Sequence, residues 1–245
     1  MSHHAQRNLL VTGASRGIGF AITQALLASQ HHVTGLARNF PSELTGELSA
    51  QAFFHAERID LSDLSALPDT LKSLCQRYPT IDGLILNAGQ GQFGSLEEFS
   101  YAQIKALIDL NFTAQAFICR AFLPMLKRRG GGDIVFIGSE AALWGGRRGA
   151  VYSASKAALR GFAQALREEC GRANVRVCVI NPGMVRTAFF DELAFQPGPD
   201  LTHAIHPETV AAAVVQVLNA PPGTVFDEIN LSPLKKVLQF KRESP

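Results

Sequence analysis

The chemistry in this chain starts from Tyr152-Ser153-Ala154-Ser155-Lys156. Four residues is about one helical turn, so on a helix the phenol and the ammonium project from the same face. A free phenol titrates near 10; lowering it by two to three units takes roughly 3–4 kcal/mol of selective phenolate stabilisation, at ~1.4 kcal/mol per unit. A cation one turn away in dry surroundings is a source of that stabilisation. Tyr152 is therefore a candidate general acid/base, with Lys156 its candidate tuner. Ser139 follows the apolar run 133–137, which places its hydroxyl at the carboxyl end of a strand, thirteen residues before Tyr152. Asn111 interrupts a helical pattern, where an amide competes for backbone hydrogen bonds. Ser153-x-x-Lys156 also has the spacing of a serine acylase, but the Ser-Asp-Asn and Lys-Thr-Gly partners of that chemistry are absent from the chain.

A second constellation lies near the start. An apolar run, 8–11, leads into Thr12-Gly13-Ala14-Ser15-Arg16-Gly17-Ile18-Gly19, and a helical pattern follows at once. Such a junction brings backbone N–H groups to a pyrophosphate at the positive end of a helix dipole. Gly13 suits the tight turn, Gly17 the close approach and Gly19 the packing of helix on strand. The spacing is neither G-x-G-x-x-G nor a Walker loop, since no Gly-Lys-Ser/Thr follows. A fold of this kind that prefers NAD carries an acidic residue about 20 positions after the loop. Here the segment reads Gly35-Leu36-Ala37-Arg38-Asn39, with no acid between Gly19 and Glu43. A guanidinium at Arg38, with Arg16 as a second cation, binds a 2′-phosphate that a carboxylate would repel. NADP(H) is the expected cofactor.

These residues need a scaffold, and the pattern of the chain supplies one. Apolar runs at 8–11, 32–36, 52–59, 83–87, 133–137, 175–180 and 224–231 alternate with helical segments at 18–29, 61–78, 101–129, 152–172 and 207–218. Most runs are apolar on consecutive residues, which suits strands buried on both faces of a parallel sheet. The expectation is an α/β fold, with a doubly wound parallel sheet of about seven strands and helices on both faces. With no repeat or linker in 245 residues, residues 1–245 read as one domain. A net charge of +2 and 18% charged residues argue against nucleic acid as a partner, and 47% hydrophobic residues exclude disorder. Cys75, Cys119, Cys170 and Cys178 are scattered and read as reduced thiols. No leader pattern opens the chain and no run approaches the ~18 apolar residues of a membrane span, so a cytoplasmic protein without membrane contact is expected. No metal-ligand spacing is present.

Taken together, Thr-Gly-x-x-x-Gly-x-Gly, Asp60-Leu61, Asn87-Ala88-Gly89, Asn111, Ser139, Tyr152-x-x-x-Lys156 and Pro182-Gly183 resemble the short-chain dehydrogenase/reductase family in its compact, single-domain, Rossmann-type branch. The resemblance implies an NADP(H)-dependent oxidoreductase that moves a hydride between nicotinamide and a carbonyl or alcohol. Tyr152 would donate the proton, Ser139 would bond the carbonyl oxygen, and Lys156 would hold the nicotinamide ribose. Asn111 would keep a water in a proton relay by opening its helix. Cofactor contacts would come from Gly13, Ser15, Arg16, Gly17, Ile18, Gly19, Arg38, Asp60, Leu61, Asn87, Ala88, Gly89, Pro182, Gly183, Val185 and Thr187, although Asp60 and Thr187 also suit helix N-caps. An alternative keeps the fold without the chemistry, as an NADP(H)-sensing or scaffolding protein. Epimerase and dehydratase relatives that share Tyr-x-x-x-Lys are usually longer.

Residues 184–206 correspond to the family's substrate lid, with Met184, Phe189, Phe190, Leu193 and Phe195; Gln90–Phe93 and Ala141–Trp144 are further candidate walls, and these aromatics either line an apolar pocket or anchor the lid to the core. Arg147 and Arg148 could meet an acidic substrate or face water, and water is the expectation. The resemblance implies a homodimer or homotetramer that pairs the helices 101–129 and 152–172, with Phe117, Ile118, Leu159 and Phe162 as candidate contacts or, alternatively, internal core.

Overall fold

The computed structural model describes residues 6–41 and 53–241. Seven strands, β1 (Asn8–Thr12), β2 (His32–Ala37), β3 (Phe54–Arg58), β4 (Gly83–Leu86), β5 (Gly132–Ile137), β6 (Val175–Pro182) and β8 (Glu228–Leu231), form one sheet in the order β3-β2-β1-β4-β5-β6-β8. Every pairing in it is parallel. The order turns back on itself between β1 and β4, and the crevice beyond their carboxyl ends is where such sheets bind ligands.

Consecutive residues of β1 explain the apolar runs. Leu9 and Val11 face a core with α1 (Gly17–Ala28) and α6 (Pro207–Leu218), while Leu10 faces a second core with α2 (Leu67–Arg77), α4 (Ala114–Arg128) and α5 (Ala150–Cys170). Successive side chains point to opposite faces of a strand, so a sheet covered on both sides buries all of them. At the far end of the sheet from the site, the buried carboxylate of Asp133 accepts from Arg7 at 2.6 Å and from Arg176 at 2.7 and 3.0 Å. Arg7 also bonds Asp82 at 2.9 Å, so this cluster ties β1, β5 and β6 to the entry of β4.

Several boundaries differ from the sequence reading, each for a local reason. The helix expected from Leu61 begins at Leu67, because Asp60 accepts from Ser62 and Asp63 accepts from Ser65 and Ala66, forming turns first. The strand expected over 52–59 is Phe54–Arg58, with Ala52 outside the described residues; the one expected over 224–231 is only Glu228–Leu231. The helix expected over 101–129 is α3 (Tyr101–Ile108), a π-helical turn at Asp109–Thr113, and α4. A short antiparallel pair, β7 (Phe195–Pro197) with β9 (Leu238–Phe240), has no counterpart in the sequence reading.

Two expectations need correcting. The continuous helical run Tyr101–Arg128, with mean hydropathy 1.3 in its most apolar window, is long and apolar enough to cross a membrane, contrary to the expectation that no stretch approaches that length. Here it packs on the sheet through Ile118, Phe122 and Leu126. Of the four residues read as intersubunit contacts, Ile118 and Leu159 are core residues at 0% and 1% exposure. Phe117 and Phe162 pack against the same core, Phe162 edge-on to both Phe112 and Phe136. The apolar stripe was read correctly, but it faces the sheet.

Candidate active site

Where β1 ends, Gly13 and Gly17 adopt φ of 68° and 55°, a region that favours glycine. A Cβ on Gly19 would stand 2.1 Å from the Gly13 carbonyl, so helix and loop meet only without a side chain there. Arg16 precedes α1 and gives it no side-chain cap, which leaves its first N–H groups for a ligand. The loop is stitched to the end of β4: Thr12 Oγ1 accepts from the N–H groups of Asn87 and Ala88, both at 2.9 Å, and Asn87 Nδ2 donates to the Thr12 carbonyl at 3.0 Å. This cradle fits the pyrophosphate of a dinucleotide.

Across the crevice, Tyr152 and Lys156 lie in the first turns of α5 and are 7% and 5% exposed. Lys156 Nζ donates to the Ile137 carbonyl at 3.0 Å, and a Cβ on Gly89 would lie 3.5 Å from that nitrogen and 3.0 Å from Asn111 Oδ1. The loop after β4, the π-helical turn and α5 therefore converge on one point. Asn111 accepts from Gln90 N at 2.9 Å and donates to Gln90 O and to Ser155 Oγ, both at 3.0 Å. Ser155 Oγ in turn donates to the Tyr152 carbonyl at 2.7 Å. The expected opening of the helix at Asn111 is present as the π-helical turn.

Electrostatics depart from the one-turn argument. Burial pushes the Tyr152 phenol above its ordinary value; the Ser139 hydroxyl works against that rise and the Glu140 carboxylate adds to it. Burial also brings the Lys156 ammonium down to about 8. In the protein by itself, desolvation outweighs the stabilisation of phenolate that the spacing predicts.

The remaining predicted residues fall into three groups. Arg16 and Arg38 are exposed, Arg38 near enough to Asp60 to favour its carboxylate. Ser15, Ile18 and Ala88 are partly buried along the loop, and a Cβ on Gly17 would touch Thr187 Cγ2 at 3.4 Å, so Thr187 lies against the loop. Thr187 also caps the turn 188–190 by accepting from Phe189 N at 3.2 Å, and Asp60 closes a turn with Ser62. Pro182 and Val185 are buried, Gly183 packs against Pro233 and Glu140, and the Leu61 side chain belongs to the core behind the crevice.

Sequence reasoning missed Gln115. Its Nε2 donates to the Ala88 carbonyl at 2.8 Å from a position 1% exposed, and so holds the β4 loop from beneath. The signal was there: a lone amide in an apolar helix, four residues after Asn111. Of the candidate pocket walls, Phe93 packs tilted against Tyr152 with ring centroids 5.1 Å apart and Phe189 lies 6.2 Å from it, whereas Trp144 is 79% exposed.

A profile of the family described as short chain dehydrogenase matches residues 7–197. The chain belongs to the short-chain dehydrogenase/reductase family. It is thus an oxidoreductase of that family, on a Rossmann-like sheet. Among similar short-chain dehydrogenases, sepiapterin reductase of Chlorobaculum tepidum is 31% identical over 243 residues, covering 94% of this chain and 98% of the relative. The NADP-dependent 3-hydroxy acid dehydrogenase YdfG of Escherichia coli K12 is 32% identical, covering 92% and 94%. Among solved structures, a metagenomic short-chain oxidoreductase in complex with NADP is similar at 28% identity and TM-score 0.80, covering 95% of this chain and 99% of that one. An alcohol dehydrogenase of Thermococcus sibiricus, complexed with 5-hydroxy-NADP, is similar at 27% identity and TM-score 0.80, covering 98% and 100%.

Proposed function

We propose that this short-chain dehydrogenase/reductase is a single-domain NADP(H)-dependent enzyme that interconverts a carbonyl and an alcohol, with Tyr152 as general acid/base. The observation that carries the reading is the convergence of Tyr152, Lys156, Asn111 and Gly89 at the carboxyl end of the sheet, beside a glycine cradle. NADP-bound structural neighbours support the cofactor, and exposed Arg38 at the end of β2 supports its 2′-phosphate. The bound cofactor supplies the hydride.

The chain's own residues do the rest. The uncapped N-terminus of α1 and Gly13, Ser15, Gly17, Ile18 and Gly19 receive the pyrophosphate, and Arg38, with Arg16, takes the 2′-phosphate. Asp60 and Leu61 take the adenine side, Asn87, Ala88 and Gly89 line the cofactor, and Pro182, Gly183, Val185 and Thr187 take the nicotinamide side. Ser139 aims its hydroxyl at the substrate oxygen as negative charge builds there. Tyr152 delivers its proton to that oxygen in reduction and removes it in oxidation. A phenol held above its ordinary pKa keeps its proton at neutral pH, which suits the donor role in reduction. Lys156, anchored on Ile137, holds the ribose and, once charged there, favours the phenolate. Asn111, at the open turn of its helix, holds a water of the proton relay. Residues 184–206 cover the substrate, and the enzyme works in the cytoplasm as a dimer or tetramer.

The test is NADPH oxidation with a panel of ketones, aldehydes, quinones and diketones, run with the native protein and with Tyr152→Phe. Turnover that the variant loses while it still binds NADPH is the expected result. Tight NADPH binding with no turnover by the native protein would instead favour a sensor or scaffold.

A further inference from the structure

The lid lays one of its own rings close to the phenol. Phe189 is packed so closely on the Gly91 backbone that a Cβ there would stand 2.2 Å from its Cζ, and its ring centroid is 6.2 Å from that of Tyr152. Phe93 packs tilted against Tyr152, ring centroids 5.1 Å apart, and meets Phe195 edge-on at 5.0 Å. Phe190 is buried, whereas Phe189 is 37% exposed and hence the ring at the rim. The phenol is thus flanked by the rings of Phe93 and Phe189, each in turn against a further ring, Phe195 and Phe190.

Charge in the surrounding loops points the same way. Lys236 is paired with Glu140, next to Ser139, and Arg148 with Glu98. Lys241 donates to the carbonyls of Phe190 and Asp191, and Arg186 to those of Gly198 and Asp200. Arg147, exposed in the turn before α5, has no ion-pair partner among the described residues. The carboxylate nearest the reacting end is Glu140, which already disfavours negative charge on Tyr152. A substrate carboxylate beside these rings would lose water and face Glu140, while Lys156, the ammonium at the site, is already engaged by the Ile137 carbonyl.

We propose that the site selects neutral carbonyl compounds carrying a flat aromatic or conjugated ring, which displaces Phe189 and packs against Tyr152, bounded by Phe93 and Phe190. This rests on the oxidoreductase reading above. Aromatic pairs prefer offset or edge-on packing and add to simple burial, so a flat ring gains more here than a puckered one of equal size.

The experiment measures kcat/KM of the native protein with NADPH on methyl 4-acetylbenzoate, 4-acetylbenzoate, acetophenone and cyclohexyl methyl ketone. The ester is expected to exceed the carboxylate on the order of tenfold or more, and acetophenone to exceed the cyclohexyl ketone by about three- to tenfold. Phe93→Leu is expected to erase most of the second difference, and Phe195→Leu serves if that variant does not fold. A carboxylate turned over as well as its ester, or a cyclohexyl ketone as well as acetophenone, overturns the proposal and leaves the oxidoreductase reading standing. Turnover of none of the four, with other carbonyl classes also inert, overturns both.

Discussion

Replacing Lys156 by methionine should stabilise the cofactor-free protein at neutral pH while destroying its activity. Lys156 is 5% exposed, and burial brings its ammonium from the ordinary 10.5 to about 8. The difference between those values, at ~1.4 kcal/mol per pH unit, is ~3 kcal/mol of stability withheld while the folded lysine is charged. The sign follows from proton linkage. The unfolded chain holds this proton up to about 10.5 and the folded one only to about 8, so stability rises with pH between the two. Methionine has similar length and no charge to desolvate. Its advantage should therefore be ~3 kcal/mol near pH 7 and shrink to ~1 kcal/mol near pH 9.5. The lost bond to the Ile137 carbonyl opposes part of the gain at every pH, so the pH dependence of the difference is the diagnostic quantity. Urea unfolding of both proteins at the two pH values, at one protein concentration and without cofactor, measures it. Other titrating groups are common to both proteins and cancel. A difference that stays constant from pH 7 to 9.5 would refute a buried, charge-strained lysine.

Other expectations follow from single contacts. Tyr152→Phe should lower kcat by about 10²–10⁴-fold with NADPH affinity kept, as read by turnover beside cofactor titration; an unchanged rate would assign the proton elsewhere. Arg38→Glu should reduce the preference for NADPH over NADH by about 10- to 100-fold in kcat/KM, the worth of charge-assisted bonds to a phosphate, and an unmoved ratio would remove Arg38 from the cofactor site. Gln115→Leu should raise the KM for NADPH more than it lowers kcat, since it frees the Ala88 carbonyl beneath the loop and touches no reacting atom; a change in kcat alone would contradict that. Asp133→Asn should cost about 3 kcal/mol by leaving Arg7 and Arg176 short of their shared carboxylate, without altering kcat, and a denaturant midpoint equal to the native one would show the cluster to be dispensable.

What the amino-acid sequence determined alone is what local periodicity and spacing encode. Consecutive apolar residues such as Leu9, Leu10 and Val11 imply a strand covered on both faces, the glycines after Thr12 imply a turn into a helix, and four-residue spacing puts Tyr152 and Lys156 on one side of α5. Each depends on a few neighbouring residues and elementary geometry, so it survives without a fold. Tertiary structure decided what meets across the chain. Gln115 reaches Ala88, Asn111 reaches Gln90 and Ser155, Phe189 settles on Gly91, and β7 finds β9, and no local pattern specifies those partners. It also decided which way an apolar stripe turns, sending Ile118 and Leu159 into the sheet. The pKa directions belong to the same class. The spacing of Tyr152 and Lys156 predicts mutual charge stabilisation, but the desolvation that pushes the phenol up and the ammonium down comes from everything packed around them, which only the completed fold supplies.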